Sequence, residues 1–380
     1  MKDGEGETQR TSLLVERLRE RVRREGALTF RDWMQSALYD EDEGYYQRAD
    51  LARWGRAGDY RTSPETSPLF AATFARYFAE LSRTHEHAPD PFIIVEAGAG
   101  AGHFAHGVLS TLARDDEPLF ARLRYVVDEA SRSARDAVGK RLADFSDKVC
   151  FARLSDLDAK MRASVLFANE LLDALPVHRV GVRAGNFVEL CVGLDEAGGF
   201  KWVEREPSTP RLAEHFERAG VRLAEGQTAE VNLDAEEWMR RAASVLRPGG
   251  HLVAVDYGAE AASLYTVPER REGTLRGFSR HALVEDVLGA PGLVDLTTTV
   301  DWTQIKSAGE RAGLQTVSLE RQDAFLLRHG LLAQLERETL RARDEAERMS
   351  LRLGAREMIL PGGMSEHFQV LVQKKRDGAD

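Results

Sequence analysis

The chain has 380 residues, of which 43% are hydrophobic and 30% are charged, a length that allows one large domain with insertions or two domains. Its formal net charge of −10 argues against a nucleic-acid surface as the main partner and suits a cationic substrate. The only two cysteines, Cys150 and Cys191, exclude a disulfide framework and a cysteine metal site, and we expect both to be reduced thiols in the core.

No apolar run in the sequence reaches about 18 residues, so no membrane-spanning helix and no membrane partner are predicted. The first ten residues, MKDGEGETQR, lack the apolar core of a secretory signal. They also contain Asp3, Glu5 and Glu7, whereas a mitochondrial transit peptide is poor in acidic residues. We therefore expect a cytoplasmic protein. The ten histidines are scattered without the spacing of a metal site, so no metal is expected.

The first ninety residues are predicted to form helices around one long polar loop. Leu14, Leu18 and Val22 recur every four residues within 11–25, as on the apolar face of an amphipathic helix. A second helix is predicted over 29–38, with Thr29 as its N-cap. A third helix near 68–83 follows a tyrosine-containing loop, and loops of that length are usually functional or disordered.

From residue 91 the pattern changes to short apolar runs separated by helical segments. The runs that we interpret as buried strands are PFIIVEA, YVVDEAS (125–131), VCFARL, SVLFANELLDALP (164–176) and GGHLVAVDYG (249–258). Continuous apolar runs are typical of strands buried on both faces, and alternation with helices indicates a parallel sheet. The sequence thus predicts a doubly wound α/β fold.

Two stretches interrupt this alternation. Residues 181–205 are predicted to form a hairpin that turns at Ala197-Gly198-Gly199, and residues 258–305 are rich in loops. The chain then closes with a strand over 314–319, a long charged helix near 330–353 and a strand over 367–375. We therefore divide the chain into an N-terminal helical lobe with its loop (1–88) and an α/β domain (89–380), with inserts at about 178–230 and 258–305.

A glycine-rich motif, E-x-G-x-G-x-G, ends the first predicted strand of the sheet. It consists of Glu96, Gly98, Gly100 and Gly102, and glycines there allow a ligand to approach the backbone closely. The dinucleotide motif G-x-G-x-x-G would need a third glycine at residue 103, where the chain has His103. The spacing instead resembles motif I of class I methyltransferases, in which the turn packs against the methionine part of the cofactor.

The second predicted strand ends in the acidic pair Asp128-Glu129. Cofactors of both classes place an acidic residue there, because a carboxylate can accept hydrogen bonds from both ribose hydroxyls. Strand, glycine loop, helix, strand and acid in this order favour a nucleoside-containing cofactor.

Longer blocks carry a more specific resemblance. They are FRDWMQSALYDEDEGYY (30–46), GDYRTSPETSP (58–68), EAGAGAG (96–102), Glu129 with Ser131, ANELLDALPV (168–177), DYG (256–258), GTLR (273–276), His281, PGLVDLTTTVDW (291–302) and LPGGMSEHF (360–368). In this order they resemble the MidA-like methyltransferase family, which includes a mitochondrial enzyme that dimethylates a protein arginine. The chain departs from the family pattern at Ala101, His103, Thr299 and Ser365, and the last two put inherited substrate specificity in question.

The resemblance implies S-adenosyl-L-methionine as the cofactor. It also implies a Rossmann-like sheet of seven mostly parallel strands with one antiparallel strand, an N-terminal helical lobe and a substrate-covering insert. The expected cofactor-binding residues are Glu96, Gly98, Gly100, Gly102, Glu129, Ser131, Asn169, Thr62 and Ser63. Because ligands bind at the carboxyl edge of such sheets, we expect Asn169 and Glu170 to flank the transferred methyl group.

The acceptor is expected to be held by carboxylates. Asp173 and Asp256 follow predicted strands, and Asp59, with Glu65, could close over the site from the N-terminal loop. The catalytic candidates are therefore Glu170, Asp173, Asp256 and Asp59. Three functions remain open: a protein arginine methyltransferase, a natural-product or peptide-tailoring O- or N-methyltransferase, and a non-catalytic assembly factor with a vestigial cofactor site. A homodimer is also possible, since the closing amphipathic helix could pair with a second copy.

Overall fold

The computed structural model of the chain describes residues 3–48, 51, 67–84, 91–157, 161–279, 282–360 and 367–378, and the side chains of the first helix from residue 13 onward. Two compact units are present, each built from three segments. Unit 1 contains Met1–Tyr60, Leu172–Glu237 and Gly258–Ile305, and unit 2 contains Arg61–Leu171, Trp238–Tyr257 and Lys306–Asp380. Both predicted inserts fall in unit 1.

The strands of the described residues are numbered in chain order. They are β1 Leu28–Thr29, β2 Phe92–Ala97, β3 Leu123–Asp128, β4 Val149–Phe151, β5 Ala163–Asn169, β6 His178–Arg183, β7 Asn186–Leu194, β8 Phe200–Arg205, β9 Thr228–Val231, β10 Leu246–Ala259, β11 Arg276–Ser279, β12 Ala282–Val284, β13 Asp295–Thr297, β14 Val300–Asp301, β15 Leu314–Arg321 and β16 Phe368–Lys375.

The α-helices are numbered in the same way. They are α1 Asp3–Glu25, α2 Phe30–Tyr39, α3 Pro68–Thr84, α4 His103–Asp115, α5 Glu117–Ala121, α6 Arg132–Arg141, α7 Arg211–Ala219, α8 Leu233–Val245, α9 Ala261–Thr266, α10 Trp302–Arg311, α11 Gln322–Arg328, α12 Leu331–Arg341 and α13 Glu345–Ile359. Short 3-10 turns lie at Ala143–Phe145, Leu154–Asp156 and Pro268–Arg270.

Unit 2 is built on a sheet with the strand order β15-β16-β10-β5-β2-β3-β4. Strand β16 is antiparallel to both of its neighbours, and the other neighbouring pairs are parallel. Every residue of β2 is buried, as are all residues of β5 except the last, which explains their continuous apolar sequences. The predicted seven-stranded, mostly parallel sheet with one antiparallel strand is confirmed.

An aromatic core fills one face of this sheet. Phe74 of α3 lies 5.1 Å from Phe167 of β5 and 5.2 Å from Phe325 of α11, measured between ring centroids. The ring of Phe104 stacks on that of Phe167 at 4.0 Å. This layer fixes α3 and α4 against the strands whose ends carry the glycine motif.

The single long helix predicted over 330–353 is wrong, because the chain forms α12 and α13 with a break between them. Asp344 caps α13, since its Oδ1 accepts a hydrogen bond of 2.8 Å from the backbone N of Glu347. Cys150 is exposed on β4, so the expectation of two core thiols holds only for the buried Cys191.

Unit 1 is built from a five-stranded and a three-stranded antiparallel sheet with helices. The predicted hairpin over 181–205 is confirmed by β7 and β8, which turn where Asp195 N donates to Gly199 O at 2.9 Å. Thr29 caps α2 as expected, accepting a 3.1 Å hydrogen bond from Asp32 N. Helices α1 and α2 contribute to one apolar core, which includes Leu14 and Leu18 of α1.

Candidate active site

The glycine motif forms the turn between β2 and α4 in unit 2. Gly98, Gly100 and Gly102 have φ values of 72°, 53° and 77°, a backbone region that other residues rarely adopt. A Cβ on Gly98 would lie 3.0 Å from Leu171 Cδ1, and one on Gly102 would lie 3.3 Å from Val138 Cα. The turn therefore requires glycine for conformation and for space.

Helix α4 begins directly after this turn. Gly102 is its N-cap and supplies no side chain to bind the first backbone N–H groups. The turn is held from outside by Arg141, whose Nε donates to Ala101 O at 2.7 Å. A ligand that approaches the turn thus meets backbone N–H groups of a helix terminus rather than side chains.

The carboxylate of Glu129 lies against the same turn. Its Oε2 accepts a hydrogen bond of 3.1 Å from Gly100 N, and its Oε1 accepts one of 2.8 Å from Ser131 N. The structure thus joins the predicted ribose-binding acid to the predicted glycine motif. Ser131 is buried and caps α6, accepting from Ala134 N at 3.3 Å. Its hydroxyl therefore already has a structural use.

Glu96 lies beneath the turn rather than at its surface. The residue is buried on β2, and Tyr125 of β3 donates its hydroxyl hydrogen to Glu96 Oε2 at 2.7 Å. Burial, opposed by the Tyr125 hydrogen bond and assisted by the nearby Glu129 carboxylate, raises the pKa of Glu96 to about 8. Glu96 is thus predominantly protonated at pH 7.

Asn169 and Glu170 follow one another at the carboxyl end of β5. Glu170 has a φ of 51°, an uncommon value for a residue other than glycine, and its backbone N donates to Val255 O at 2.9 Å. Asn169 Nδ2 donates to Glu170 Oε1 at 2.9 Å. Asn169 Oδ1 is buried and accepts no hydrogen bond within the described part of the chain. The pair therefore combines a strained backbone, an oriented carboxylate and an unused acceptor.

Strand β10 runs beside this pair and carries Asp256 and Tyr257 near its carboxyl end. Asp256 is 1% exposed, and its Oδ1 accepts from the backbone N of Tyr257 at 2.9 Å. Tyr257 is half-buried and packs against the aromatic core. Strand alternation places the two side chains on opposite faces of the sheet. Asn169, the register partner of Val255, therefore shares a face of the sheet with Tyr257, and Asp256 points to the other face.

Asp173 belongs to unit 1, where it is buried and its carbonyl oxygen accepts from Thr298 N at 2.9 Å. The remaining candidates lie outside the described residues. They are Asp59, Thr62, Ser63, Glu65, His281 and Ser365. Their roles stay predictions, as do the individual roles of the residues described above.

Unit 1 contains a polar cavity of about 310 Å³, its opening included. Tyr265 and Asp301 line it, and the Tyr265 hydroxyl lies 3.2 Å from Asp301 Oδ2 and 3.0 Å from Nε2 of the buried His215. Burial lowers the pKa of His215 to about 4, so the ring is neutral at pH 7. Thr299, the departure from the family pattern, also lines the cavity and accepts from Arg276 Nη2 at 3.2 Å. These groups bond mainly to one another, as in a structural network.

Sequence reasoning missed three features of the site. Leu171 limits the space at Gly98, Tyr125 holds Glu96, and Glu170 adopts the left-handed region. None of the three leaves a signal in the sequence, because glycine or asparagine usually marks a left-handed position and residue 170 is a glutamate. Among the described residues, no three His, Cys, Asp or Glu side chains are grouped to hold a metal ion. No helix in the described segments is long and apolar enough to cross a membrane.

The donor set fits S-adenosylmethionine. The glycine turn offers a close approach to the backbone at the start of α4, and Glu129 offers a carboxylate for hydroxyl groups next to that turn. The buried Asn169 Oδ1 can accept a hydrogen bond from an amino group.

Comparison with known proteins gives the same assignment. Residues 73–319 match the profile of the family described as "Putative S-adenosyl-L-methionine-dependent methyltransferase". A crystal structure from Burkholderia thailandensis, described as a "likely methyl transferase" bound to S-adenosyl-homocysteine, superposes with a TM-score of 0.84 at 27% identity, covering 98% of this chain and 94% of that one.

Curated relatives also align along most of their length. The "Protein arginine methyltransferase NDUFAF7, mitochondrial" of Mus musculus is 27% identical, covering 97% of this chain and 86% of that protein. Its Drosophila melanogaster homolog is 26% identical over 94% of this chain and 84% of its own length. Because the family profile covers more than half of the chain, the protein belongs to this family and is a methyltransferase that uses S-adenosylmethionine, as the MidA-like resemblance predicted.

Proposed function

We propose that the protein transfers a methyl group to a guanidine nitrogen of an arginine in another protein. The carboxylate of Glu170 is the observation that carries this proposal, because a strained backbone and the Asn169 amide hold it at the carboxyl edge of the sheet. A guanidinium is planar, permanently charged and binds carboxylates through paired hydrogen bonds. The relatives named above as arginine methyltransferases support the same acceptor class.

The distribution of charge supports a cationic acceptor. Unit 1 contains 33 Asp and Glu against 22 Lys and Arg, a net charge of −11, whereas unit 2 contains 29 against 30, a net charge of +1. All of the net negative charge of the chain therefore comes from unit 1. A net negative charge attracts a basic protein segment, and dissolved salt screens this attraction.

The chemistry asks two things of the protein. Bound S-adenosylmethionine supplies a methyl group on a positively charged sulfur. The protein must align the acceptor nitrogen with that methyl group, so that the N–C bond would form as the S–C bond breaks and S-adenosyl-homocysteine leaves. A site must also accept the proton that the nitrogen then releases. Glu170 can do both, since its carboxylate can bind the guanidinium N–H groups and take a proton. Asn169 fixes the rotamer of that carboxylate through Oε1.

The decisive experiment is methylation with a radiolabelled donor. The acceptors are a peptide with one arginine between lysines, the same peptide with that arginine replaced by lysine, and a panel of small hydroxy and amino compounds. We expect label in methylarginine. We also expect Glu170→Gln to lower kcat at least about 100-fold, the usual contribution of a positioned acid or base. Glu357→Gln, at an exposed position on α13, is the matched control and should leave kcat unchanged.

Each alternative predicts a different product. Label in a small molecule or at a hydroxyl, with none in arginine, would establish a tailoring O- or N-methyltransferase instead. Full turnover by Glu170→Gln would contradict the role of that residue while leaving the acceptor assignment intact. Both variants must first bind S-adenosyl-homocysteine like the wild type, which shows that the site is folded.

The cellular setting stays a prediction. We propose a cytoplasmic location, and the names of the relatives place those proteins in mitochondria. A homodimer is proposed from the closing amphipathic helix, and the absence of nucleic-acid and membrane partners from the net charge and the short apolar runs. Equilibrium sedimentation and fractionation of cells that express the tagged protein test them.

A further inference from the structure

We infer that Tyr257 is a specificity-determining residue, whose ring forms one wall of the acceptor site and, with Glu170, selects a planar cation. This inference rests on the proposed function, because it names the part of the same site that recognises the guanidinium. It goes beyond that function by assigning selectivity to a residue outside the carboxylates and the glycine motif.

The sheet places Tyr257 beside the Asn169-Glu170 pair. Val255 of β10 is the register partner of Asn169 on the parallel strand β5, and the backbone of Glu170 is bonded to Val255 O. Tyr257 lies two residues farther toward the carboxyl edge and on the same face as Val255. Neighbouring strands are about 4.8 Å apart and two residues span about 6.6 Å, so the Cα atoms of Tyr257 and Asn169 are separated by roughly 8 Å.

The ring of Tyr257 is held in one orientation. Its register partner on β16 is Phe368, and the two rings meet edge-to-face with centroids 5.7 Å apart and an interplanar angle of 77°. Tyr257 also packs against the apolar core below, which buries part of its surface. The aromatic surface that remains accessible is therefore preorganised and costs little entropy when a ligand stacks on it.

The chemistry of the two walls is complementary to a guanidinium. An aromatic face attracts a cation, and guanidinium groups stack on such faces more readily than ammonium groups. The Glu170 carboxylate can bind two N–H groups in the plane of the cation. A neutral planar group of the same shape would gain neither charge interaction.

The first test measures binding, which does not depend on turnover. A fluorescein-labelled peptide with one arginine between glycines is titrated into the full-length protein saturated with S-adenosyl-homocysteine. The same peptide with citrulline, a neutral group of similar shape, is the matched probe. We expect the arginine peptide to bind at least about 10-fold more tightly to the wild type. Tyr257→Leu should lose a factor of about 3 to 30, the range of a cation–π contact, and Tyr257→Phe should stay within about 3-fold of the wild type.

Two results would overturn the inference. One is unchanged arginine-peptide affinity in Tyr257→Leu, and the other is an equal loss in Tyr257→Phe, which would assign the effect to the hydroxyl group. Tyr257→Met fills the core without an aromatic ring and replaces Tyr257→Leu if the latter fails to bind S-adenosyl-homocysteine.

The second test separates this inference from the proposed function. If the arginine peptide binds through Tyr257 but accepts no methyl group, the guanidinium site stands and the activity fails. If the peptide is methylated and Tyr257→Leu keeps the wild-type KM and kcat, the activity stands and the inference fails. With both correct, Tyr257→Leu raises KM for the arginine peptide more than it lowers kcat, because stacking acts mainly on binding.

Discussion

Glu129 Oε2 and the backbone N of Gly100 are 3.1 Å apart, so the predicted ribose-binding acid also holds the glycine turn. The same carboxylate accepts a second backbone hydrogen bond from Ser131. Glu129→Ala should therefore weaken S-adenosylmethionine binding by at least about 30-fold, because it removes a hydroxyl acceptor and a support of the turn at once. Glu129→Gln retains one carbonyl acceptor, so its affinity should lie between those of the wild type and Glu129→Ala. Calorimetric titration measures both, and equal affinity in all three proteins would contradict this role.

Gly98 should tolerate no side chain. Gly98→Ala places a Cβ 3.0 Å from Leu171 Cδ1 and forces alanine to a φ of 72°, which costs about 1 kcal/mol or more in backbone strain. We expect the affinity for S-adenosylmethionine to fall at least about 10-fold. Gly139→Ala on α6 is the control, since a Cβ there meets nothing within 4 Å and alanine favours a helix. Wild-type affinity in Gly98→Ala would show that the turn adapts.

The backbone strain at Glu170 predicts that two inactive variants of this residue differ in stability. Glycine adopts a φ of 51° without strain, whereas alanine does not. Glu170→Gly should therefore be more stable than Glu170→Ala by about 1 kcal/mol in denaturant unfolding, although both variants should be inactive. At a position with ordinary φ, alanine would equal or exceed glycine, and that order here would contradict the strain.

Glu96 makes stability depend on pH. Its folded pKa is raised to about 8, while an unfolded glutamate titrates near 4.5. Between these values the unfolded chain releases a proton that the folded protein keeps, so the free energy of unfolding should fall as pH rises from about 4.5 to 8. Glu96→Gln keeps an acceptor for Tyr125 without this titration and should have a flatter profile. Thermal unfolding at pH 5.5 and 8.5 compares the two, and parallel profiles would refute this assignment.

The net charge of −10 on the chain predicts a salt dependence of methylation that differs between acceptor peptides. For a peptide whose arginine is flanked by lysines, kcat/KM should fall about 5-fold or more between 50 and 300 mM salt, because screening removes the long-range attraction. A peptide with glycine in place of those lysines should respond less. Affinity for S-adenosyl-homocysteine serves as the internal control. Equal salt dependence for the two peptides would show that the field does not guide the acceptor.

The sheet could be predicted from the sequence because its central strands are buried on both faces. The run Phe92–Val95 contains no polar residue, so it indicates a strand that is buried on both faces. The N-cap at Thr29 could also be predicted, because threonine is a favoured residue directly before a helix. The break between α12 and α13 was missed although Asp344 and Glu347 have the spacing of a capping box. The residues on both sides of the break repeat with helical periodicity, which favours one uninterrupted helix in the prediction.

Only part of the active site could be predicted from the sequence. The glycines and Glu129 follow a pattern in which chain order implies proximity, and the structure joins them. The left-handed backbone of Glu170 depends on its bond to Val255, a residue 85 positions away, and no local pattern reports such a contact. The protonated state of Glu96 likewise depends on its surroundings in three dimensions, with Tyr125 donating from the neighbouring strand.

The alternation of the chain between the two units also limits how the protein can be taken apart. Each unit is assembled from three separate segments, so neither corresponds to one uninterrupted stretch of the gene. The sheet unit could be produced alone only by joining Leu171 to Trp238 and Tyr257 to Lys306 with new linkers. Shuffling this family by simple end-to-end exchange of halves would therefore split both hydrophobic cores, and a graft that leaves each core whole must move Met1–Tyr60 together with the two internal segments of unit 1.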